Sequence, residues 1–345
     1  MKKRHIILDG MGGDYAPGAV IDGAMEVTNK FRHKIIIVGN ETMIKEYMAS
    51  KGYKSGGIEI IHAEEVITNN EAPVKAVRTK LRSSVVVGLN LLKDSGNDVF
   101  ISAGNTGALM AGGLFILGRV RGIDRPAIAS TYPIMRGDGV SLLVDSGANA
   151  ECKPNNLLEF ATMGSIYMNK VLGIDKPKVG LVNMGAEENK GTTVLKAAYE
   201  LLSKSMTEHN AINFIGNIEA RDVAFGIADV LVCDGYVGNV ILKLTEGLAW
   251  NIFEMIKGKF TEGIPAKLGA ILLANKLKEL KNALDYSEYG GAPILGVRGA
   301  LVKIHGSSNA NAVKNAILKA AIYAENEVVQ CIENAVIELL DVGIS

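Results

Sequence analysis

The sequence predicts a three-layer α/β/α protein around a mostly parallel sheet, and three observations carry that prediction. Short apolar, β-rich runs recur along most of the 345 residues. They are apolar throughout, as in strands covered on both faces, and helical spacing fills most of the gaps between them, the alternation that builds a parallel sheet. Nine of the runs end in a glycine-rich polar corner, usually with a helix to follow. In a parallel sheet such corners gather on one edge, where helix N-termini and free backbone N–H groups favour an anion.

Taken in order, the β-rich runs cover 5–9, 35–39, 58–62, 98–102, 127–132, 140–145, 178–183, 212–216 and 229–233. Helical patterns cover 17–31, 41–51, 71–93, 106–118, 154–172, 188–205 and 237–259, and a last amphipathic helix is expected over about 309–340. The clearest corners are Ser102–Gly107, Asp145–Asn149, Asn183–Glu188 and Cys233–Asn239, which follow the strand-like stretches DVFI, VSLLV, KVGLV and ADVLV. With no repeat, low-complexity segment or Pro/Gly/Ser linker, residues 1–345 read as one body.

Residues 237–284 depart from the alternation. Leu244, Leu248, Ile252 and Met255 fall at helical spacing, as do Leu273, Leu277, Leu280 and Leu284, which predicts a protruding helical hairpin. Its tip is apolar at Phe260, Ile264, Pro265 and Leu268 and basic at Lys257, Lys259 and Lys267. That composition suits an anionic membrane surface. Packing of the stems against a second copy explains the same pattern, and the two are compatible.

Charge is balanced, with 37 basic and 37 acidic residues, and aromatics make up 6%. Neither a global basic field nor stacking platforms point to nucleic acid. Cys152, Cys233 and Cys331 are odd in number and widely spaced, which fits a reducing compartment without a disulfide framework. The Ile6-Ile7-Leu8 run is too short for a signal-peptide core, and no run nears the ~20 apolar residues of a membrane span. A cytoplasmic enzyme is the expectation.

The Walker A pattern, a strict G-x-G-x-x-G after the first run, G-x-S-x-G, H-E-x-x-H and C-x-x-C are all absent, which removes several common enzyme readings. The corners offer amides, hydroxyls, carboxylates and lysines instead. Gly104, Asn105, Thr106 and Gly107 open a helix, where a hydroxyl, an amide and N–H groups can meet one oxyanion; an ordinary helix cap uses the same residues. Asp145 and Asn149 flank Gly147, and Asp145 either orients a partner or closes a turn. Asn183, Glu187, Glu188 and Lys190 cluster after KVGLV, where the carboxylates also suit a helix cap. Asp234, Asn239 and Lys243 follow ADVLVC, with Lys243 the phosphate-facing candidate or a solvated side chain. Of five histidines, His305 has the most functional setting, at the head of a late His-Gly-Ser-Ser corner. Cys233 reads as an inert buried thiol.

Read together, Asp9–Pro17, Ser102–Ala108, Arg125–Ile128, Asp145–Asn149, Gly216–Asp222, Cys233–Asn239, Gly290–Pro293 and His305–Ser308 resemble the bacterial phosphate acyltransferase family, the acyl-ACP:phosphate transacylases of phospholipid synthesis. The likeness runs in order from the first strand to about residue 320. It implies a fold like that of isopropylmalate dehydrogenase and phosphotransacetylase, a homodimer, and peripheral association with the membrane. It also implies transfer of a long fatty acyl chain from acyl carrier protein to inorganic phosphate. The acyl phosphate would pass to a downstream glycerol-3-phosphate acyltransferase. Gly10, Tyr15 and Asn309 depart from the Ala, His and acid expected there.

For such a reaction, phosphate dianion is already a nucleophile near neutral pH, and a thiol of pKa ~8.5 is a tolerable leaving group. Placement and charge stabilisation are then the protein's main tasks, and no cofactor or metal is expected. Phosphate is expected at the Gly104–Gly107 corner with Lys243. Asn239 or Asn183 would donate to the oxyanion, His305 would protonate the departing thiolate or hold the thioester, and Asp145 and Asp234 would orient these donors. Arg78, Lys80, Arg82, Arg119 and Arg121 form either a basic rim for the acidic carrier protein or a solvated surface. Two other readings stand beside this one. The first is a metal- and NAD-dependent hydroxy-acid dehydrogenase of the same fold, recruiting Asp229 and Asp234. The second is a membrane-recruited scaffold without catalysis.

Overall fold

The computed structural model describes residues 4–28, 31–54, 56–96, 98–134, 139–209, 212–261, 263, 269, 272–276 and 290–341. The strands are β1 (His5–Asp9), β2 (Lys34–Gly39), β3 (Ile58–His62), β4 (Val99–Ser102), β5 (Ala127–Pro133), β6 (Val140–Val144), β7 (Lys178–Asn183), β8 (Asn213–Glu219), β9 (Val230–Val232), β10 (Ala292–Leu295) and β11 (Ala300–Lys303). All nine expected strands form. β10 and β11, of four residues each, are additional.

The strands make one sheet in the order β3-β2-β1-β4-β11-β10-β5-β6-β9-β7-β8. Seven of its ten pairs are parallel. The other three, β11/β10, β10/β5 and β5/β6, lie in a row at the centre. The two reversals at β10 cancel, and the β5/β6 pair supplies a third. The blocks β3-β2-β1-β4-β11 and β6-β9-β7-β8 therefore run in opposite senses. This corrects the single-edge expectation: corners after β4 and β11 leave one edge, and corners after β6, β7 and β9 leave the other.

Among the described residues the helices that flank the sheet are α1 (Gly18–Thr28), α2 (Glu41–Ser50), α3 (Pro73–Thr79), α4 (Ser84–Ser95), α5 (Thr106–Gly112), α6 (Pro154–Leu172), α7 (Thr193–His209), α8 (Gly235–Thr261), α9 (Ala310–Glu325) and α10 (Val328–Asp341). Strand alternation assigns the faces. Ile6, Leu8, Ile35, Ile37 and Ile101 pack in a core with residues of α1, α6 and α9. Their neighbours Ile7, Ile36, Val38 and Phe100 pack in a second core with residues of α4 and α5. A Cβ at Gly88 of α4 would lie 2.3 Å from the Phe100 ring, so the helix sits on the sheet only because that position is bare. A third cluster joins Leu143, Val182 and Leu231 to α8.

Three helices differ from the expected spans. The 71–93 pattern breaks at Lys80–Ser83, where the Ser83 hydroxyl accepts from Val86 N–H and starts α4. The 309–340 pattern breaks between α9 and α10, where Glu327 adopts φ +49°. The 188–205 pattern starts only at Thr193, because 188–192 belong to the corner. Asn309 caps α9 by accepting from Ala312 N–H at 3.0 Å, a task its amide oxygen performs as a carboxylate would. Of the expected hairpin, α8 is the first stem, and residues 272–276 are helical. Phe260 is half-buried near the end of α8, while Ile264, Pro265, Lys267, Leu268, Leu277, Leu280 and Leu284 lie outside the described residues. No helix among the described residues is long and apolar enough to cross a membrane.

Candidate active site

A cavity of about 590 Å³ opens over the central strands, lined from both blocks. On the first block its geometry starts at Asp9, buried at the end of β1. One Asp9 oxygen accepts from the Ser102 hydroxyl at 2.6 Å and the other from Met11 N–H at 3.1 Å. The Ser102 oxygen in turn accepts from Gly104 N–H at 2.9 Å. Burial pushes the Asp9 carboxyl up, and the hydrogen bonds from Ser102 and its neighbours oppose that. A Cβ on Gly12 would lie 2.4 Å from Asp9 and 2.7 Å from Gly104 N, so the β1 and β4 corners meet backbone to backbone. Asp14 N–H donates to the Gly306 carbonyl at 2.8 Å, tying the β11 corner to them.

This tie brings Asp14, Gly104, Thr106, Lys303, His305 and Ser308 to one wall of the cavity. Lys303, the last residue of β11, donates from Nζ to the carbonyls of Ile304 and, at 3.3 Å, Ala103. Burial lowers its pKa to about 8, while Asp9 and Asp14 work to raise it. Ser308 is buried, and its hydroxyl has no hydrogen-bond partner among the described residues. His305 is held by the Ser307 hydroxyl, 2.7 Å from Nδ1.

The opposite wall depends on Asp145. Its buried carboxylate accepts from Ile128, Gly147, Ala148 and Asn149 N–H at 2.7–3.1 Å, and from the Asn149 amide at 2.9 Å. Burial raises its pKa despite these bonds. The corner so fastened sets the Ser146 hydroxyl 2.7 Å from that of Ser130 on β5. A Cβ at Gly238 would lie 1.9 Å from the Asp145 carbonyl, so the first turn of α8 seats directly on this corner. That seating aims Asn239, Leu242, Lys243 and Glu246 at the cavity.

Of the residues expected at the site, Gly104, Thr106, Asn239, Lys243 and His305 line the same cavity. Asn105 lies beneath it, capping α5 through Ala108 N–H at 3.0 Å and donating to the Thr68 carbonyl at 3.0 Å. Gly107 packs on Pro73. Asp145 sits under its loop, and Asp234 accepts from Val237 N–H at 2.8 Å at the start of α8. Asn183 lies in the β7 corner, beyond β9, where it accepts from Met184 N–H at 2.8 Å and donates to the Lys190 carbonyl at 3.2 Å. Asp229 accepts from Lys178 N–H at 2.7 Å, at the far end of β9 from Asp234.

The five basic residues lie on two segments, Arg78–Arg82 and Arg119–Arg121, and Arg78 lies over the Phe115 ring at 4.7 Å. Lys80 pairs with Glu71 at 2.8 Å, Arg82 with Glu64 at 2.9 Å and Arg119 with Asp124 at 3.3 Å, while Arg121 is exposed. Burial pushes the Cys233 thiol well up and Cys152 to about 12, so both stay protonated near neutral pH. Among the described residues no three His, Cys, Asp or Glu side chains gather as metal ligands.

Lys303, Ser308, Asp14, Ser130 and Ser146 were not singled out for the site. Ser308 and Asp14 stand inside glycine corners already noted, so that signal was present. Lys303 closes β11, which is not among the expected strands.

The fold defines a class. A EutD phosphotransacetylase from Staphylococcus aureus superposes with a TM-score of 0.62 at 17% identity, covering 93% of this chain and 94% of that one. A phosphotransacetylase from Streptococcus pyogenes gives 0.64, also at 17% identity, with 94% of each chain covered. The chain thus has the fold of the phosphotransacetylases.

Sequence comparison narrows the class. The profile of the family described as "Fatty acid synthesis protein" matches residues 4–331. The "Phosphate acyltransferase" of Alkaliphilus oremlandii is 52% identical over 336 residues, covering 97% of this chain and 98% of its own. That of Clostridioides difficile is 46% identical, covering 94% of each. This chain belongs to that family of acyltransferase enzymes.

Proposed function

We propose that the protein transfers a long-chain fatty acyl group from acyl carrier protein to inorganic phosphate, forming an acyl phosphate for phospholipid synthesis. One observation carries the reading. The Lys303 ammonium and the unpartnered, buried Ser308 hydroxyl share a cavity with Lys243, Thr106 and the Gly104 backbone. Such a set suits a small tetrahedral oxyanion. A phosphate oxygen held there attacks the thioester carbonyl carbon. The new C–O bond forms, the C–S bond breaks, and the departing thiolate takes a proton, with His305 on the cavity wall as its donor. Asn239 donates to the tetrahedral oxyanion. Asp145 and Asp234 act as positioning residues through the corner and first turn of α8, and Asn183 acts on its own corner.

Arg78 and Arg121 favour docking of the acidic carrier protein along the surface beside α3. Leu244, Leu248, Ile252 and Met255 are all more than half exposed on α8, which supports packing against a second copy. Phe260 near the end of α8, with Ile264 and Leu268 further along the sequence, favours contact of the cytoplasmic enzyme with the membrane surface. The deciding experiment incubates pure protein with palmitoyl-carrier protein and labelled phosphate. Labelled acyl phosphate and free carrier thiol in equal amounts are expected. Thiol release without acyl phosphate would reject the reading.

A further inference from the structure

We infer that a groove beside α8 takes the aliphatic chain of the acyl donor and product. The inference rests on the acyl-transfer reading above. The groove has a volume of about 350 Å³ and lies between α8, the end of β5 and the turn at Ala220–Ala224. It shares Leu242 and Glu246 with the polar cavity, so a carbonyl in the cavity has an apolar channel next to it.

Its lining is apolar for a structural reason. The one strand hydroxyl that faces it, Tyr132, meets the Thr245 hydroxyl at 2.8 Å, and Thr245 donates to the Ile241 carbonyl at 2.8 Å. With those polar groups satisfied on each other, Pro133, Ala224, Ala249, Phe253 and Ile256 supply the walls. Leu242 to Ile256 spans fourteen residues of helix, about 21 Å at 1.5 Å per residue. At roughly 30 Å³ for a group the size of water, the volume holds on the order of a dozen methylenes. A linear chain fits a groove of that length that begins at the polar cavity. Leu244, Leu248 and Ile252 also line the groove, so a second copy packed on them would close its outer side over the chain.

The test uses the full-length protein and palmitate carrying a photoreactive diazirine at its methyl end. After irradiation, label mapped by mass spectrometry is expected on α8 between Thr245 and Ile256 or on Ala220–Ala224. Ala249→Trp, which fills the middle of the slot, should cut that label at least fivefold. Ala224→Leu on the facing wall should do the same, and it serves if the first variant does not fold. Label elsewhere, or label that neither variant reduces, overturns the inference.

Kinetics give a second arm. Each methylene withdrawn from water is worth about fourfold in binding. The ratio of kcat/KM for palmitoyl over butyryl thioester should therefore be high in the parent and fall at least tenfold in Ala249→Trp. An unchanged ratio overturns the inference. If the parent forms no acyl phosphate from either donor yet is labelled in the groove, the acyl-transfer reading falls and the chain site stands. If Ala249→Trp converts dimer to monomer in sedimentation while the label stays in place, the groove belongs to a subunit interface and the inference is overturned.

Discussion

Ser102–Gly107 and Asn183–Glu188 both leave a buried strand through a glycine corner that carries an asparagine amide. In the first, Asn105 is turned down to cap α5 and tie the Thr68 loop, which leaves Gly104 and Thr106 facing the cavity. In the second, Asn183 binds Met184 and Lys190 of its own loop, and none of Asn183–Glu188 lines the cavity. Residue type does not separate the two. Strand order does: β4 lies beside β11 at the centre, and β7 is next to the sheet's outer strand. A glycine corner becomes a site where a neighbouring strand end completes it.

The largest effect is expected at Lys303. Lys303→Met should lower kcat/KM for acyl phosphate formation by about a hundredfold or more, the scale of losing a buried charge that stabilises an oxyanion. Lys190→Met in the β7 corner should change it less than twofold. Equal losses in the two variants would erase the distinction between the corners.

The next largest effect is on pH. Lys303 is lowered to about 8 from an ordinary 10.5, so its ammonium is present below about 8 and lost above. The KM for phosphate should rise about tenfold per pH unit beyond that point, in initial rates measured from pH 7 to 10. The same shift acts oppositely on the stability of the unliganded fold. The unfolded chain holds that proton up to about 10.5, so this group makes stability rise with pH between 8 and 10.5.

Ser308→Ala should raise the KM for phosphate by about tenfold, the loss of one hydrogen bond to a charged group. The hydroxyl has no partner among the described residues, so the melting temperature should hold steady or rise. A fall in melting temperature at unchanged KM would make Ser308 structural. Lys243 is exposed, and solvent screens its charge, so Lys243→Ala should raise the KM for phosphate only a few-fold. An unchanged KM removes it from the phosphate site. Smallest in activity is Asn183→Ala, which should stay within twofold in turnover while costing about 1–2 kcal/mol of stability in denaturant unfolding. A large loss of turnover there would show that the outer corner reaches the chemistry.

Much of the fold was legible because it rests on local pattern. Solid apolar runs such as Ile35–Val38 and Leu142–Val144 gave the nine strands, and their burial confirms why. The sense of the second block was not legible, since Val140–Val144 reads alike in either direction. At the site, Asn239, Lys243 and His305 could be nominated from their corners. Lys303 could not, because its surroundings come from Asp9 and Asp14, nearly three hundred residues earlier in the chain. The two hydroxyls of Ser130 and Ser146 meet only after β5 and β6 pair.

β4 and β5 are successive strands, yet β11 and β10 stand between them, drawn from Ala292–Lys303. During synthesis, the first four strands and the five from β5 to β9 leave the ribosome before β10 and β11, so the inner edges of β4 and β5 lack their native strand partners until that late hairpin follows. Those edges are the kind that recruit foreign strands. A chain halted before residue 292 would therefore be two sticky half-sheets without a binding site, and its fate would depend on how quickly a chaperone or protease reached it.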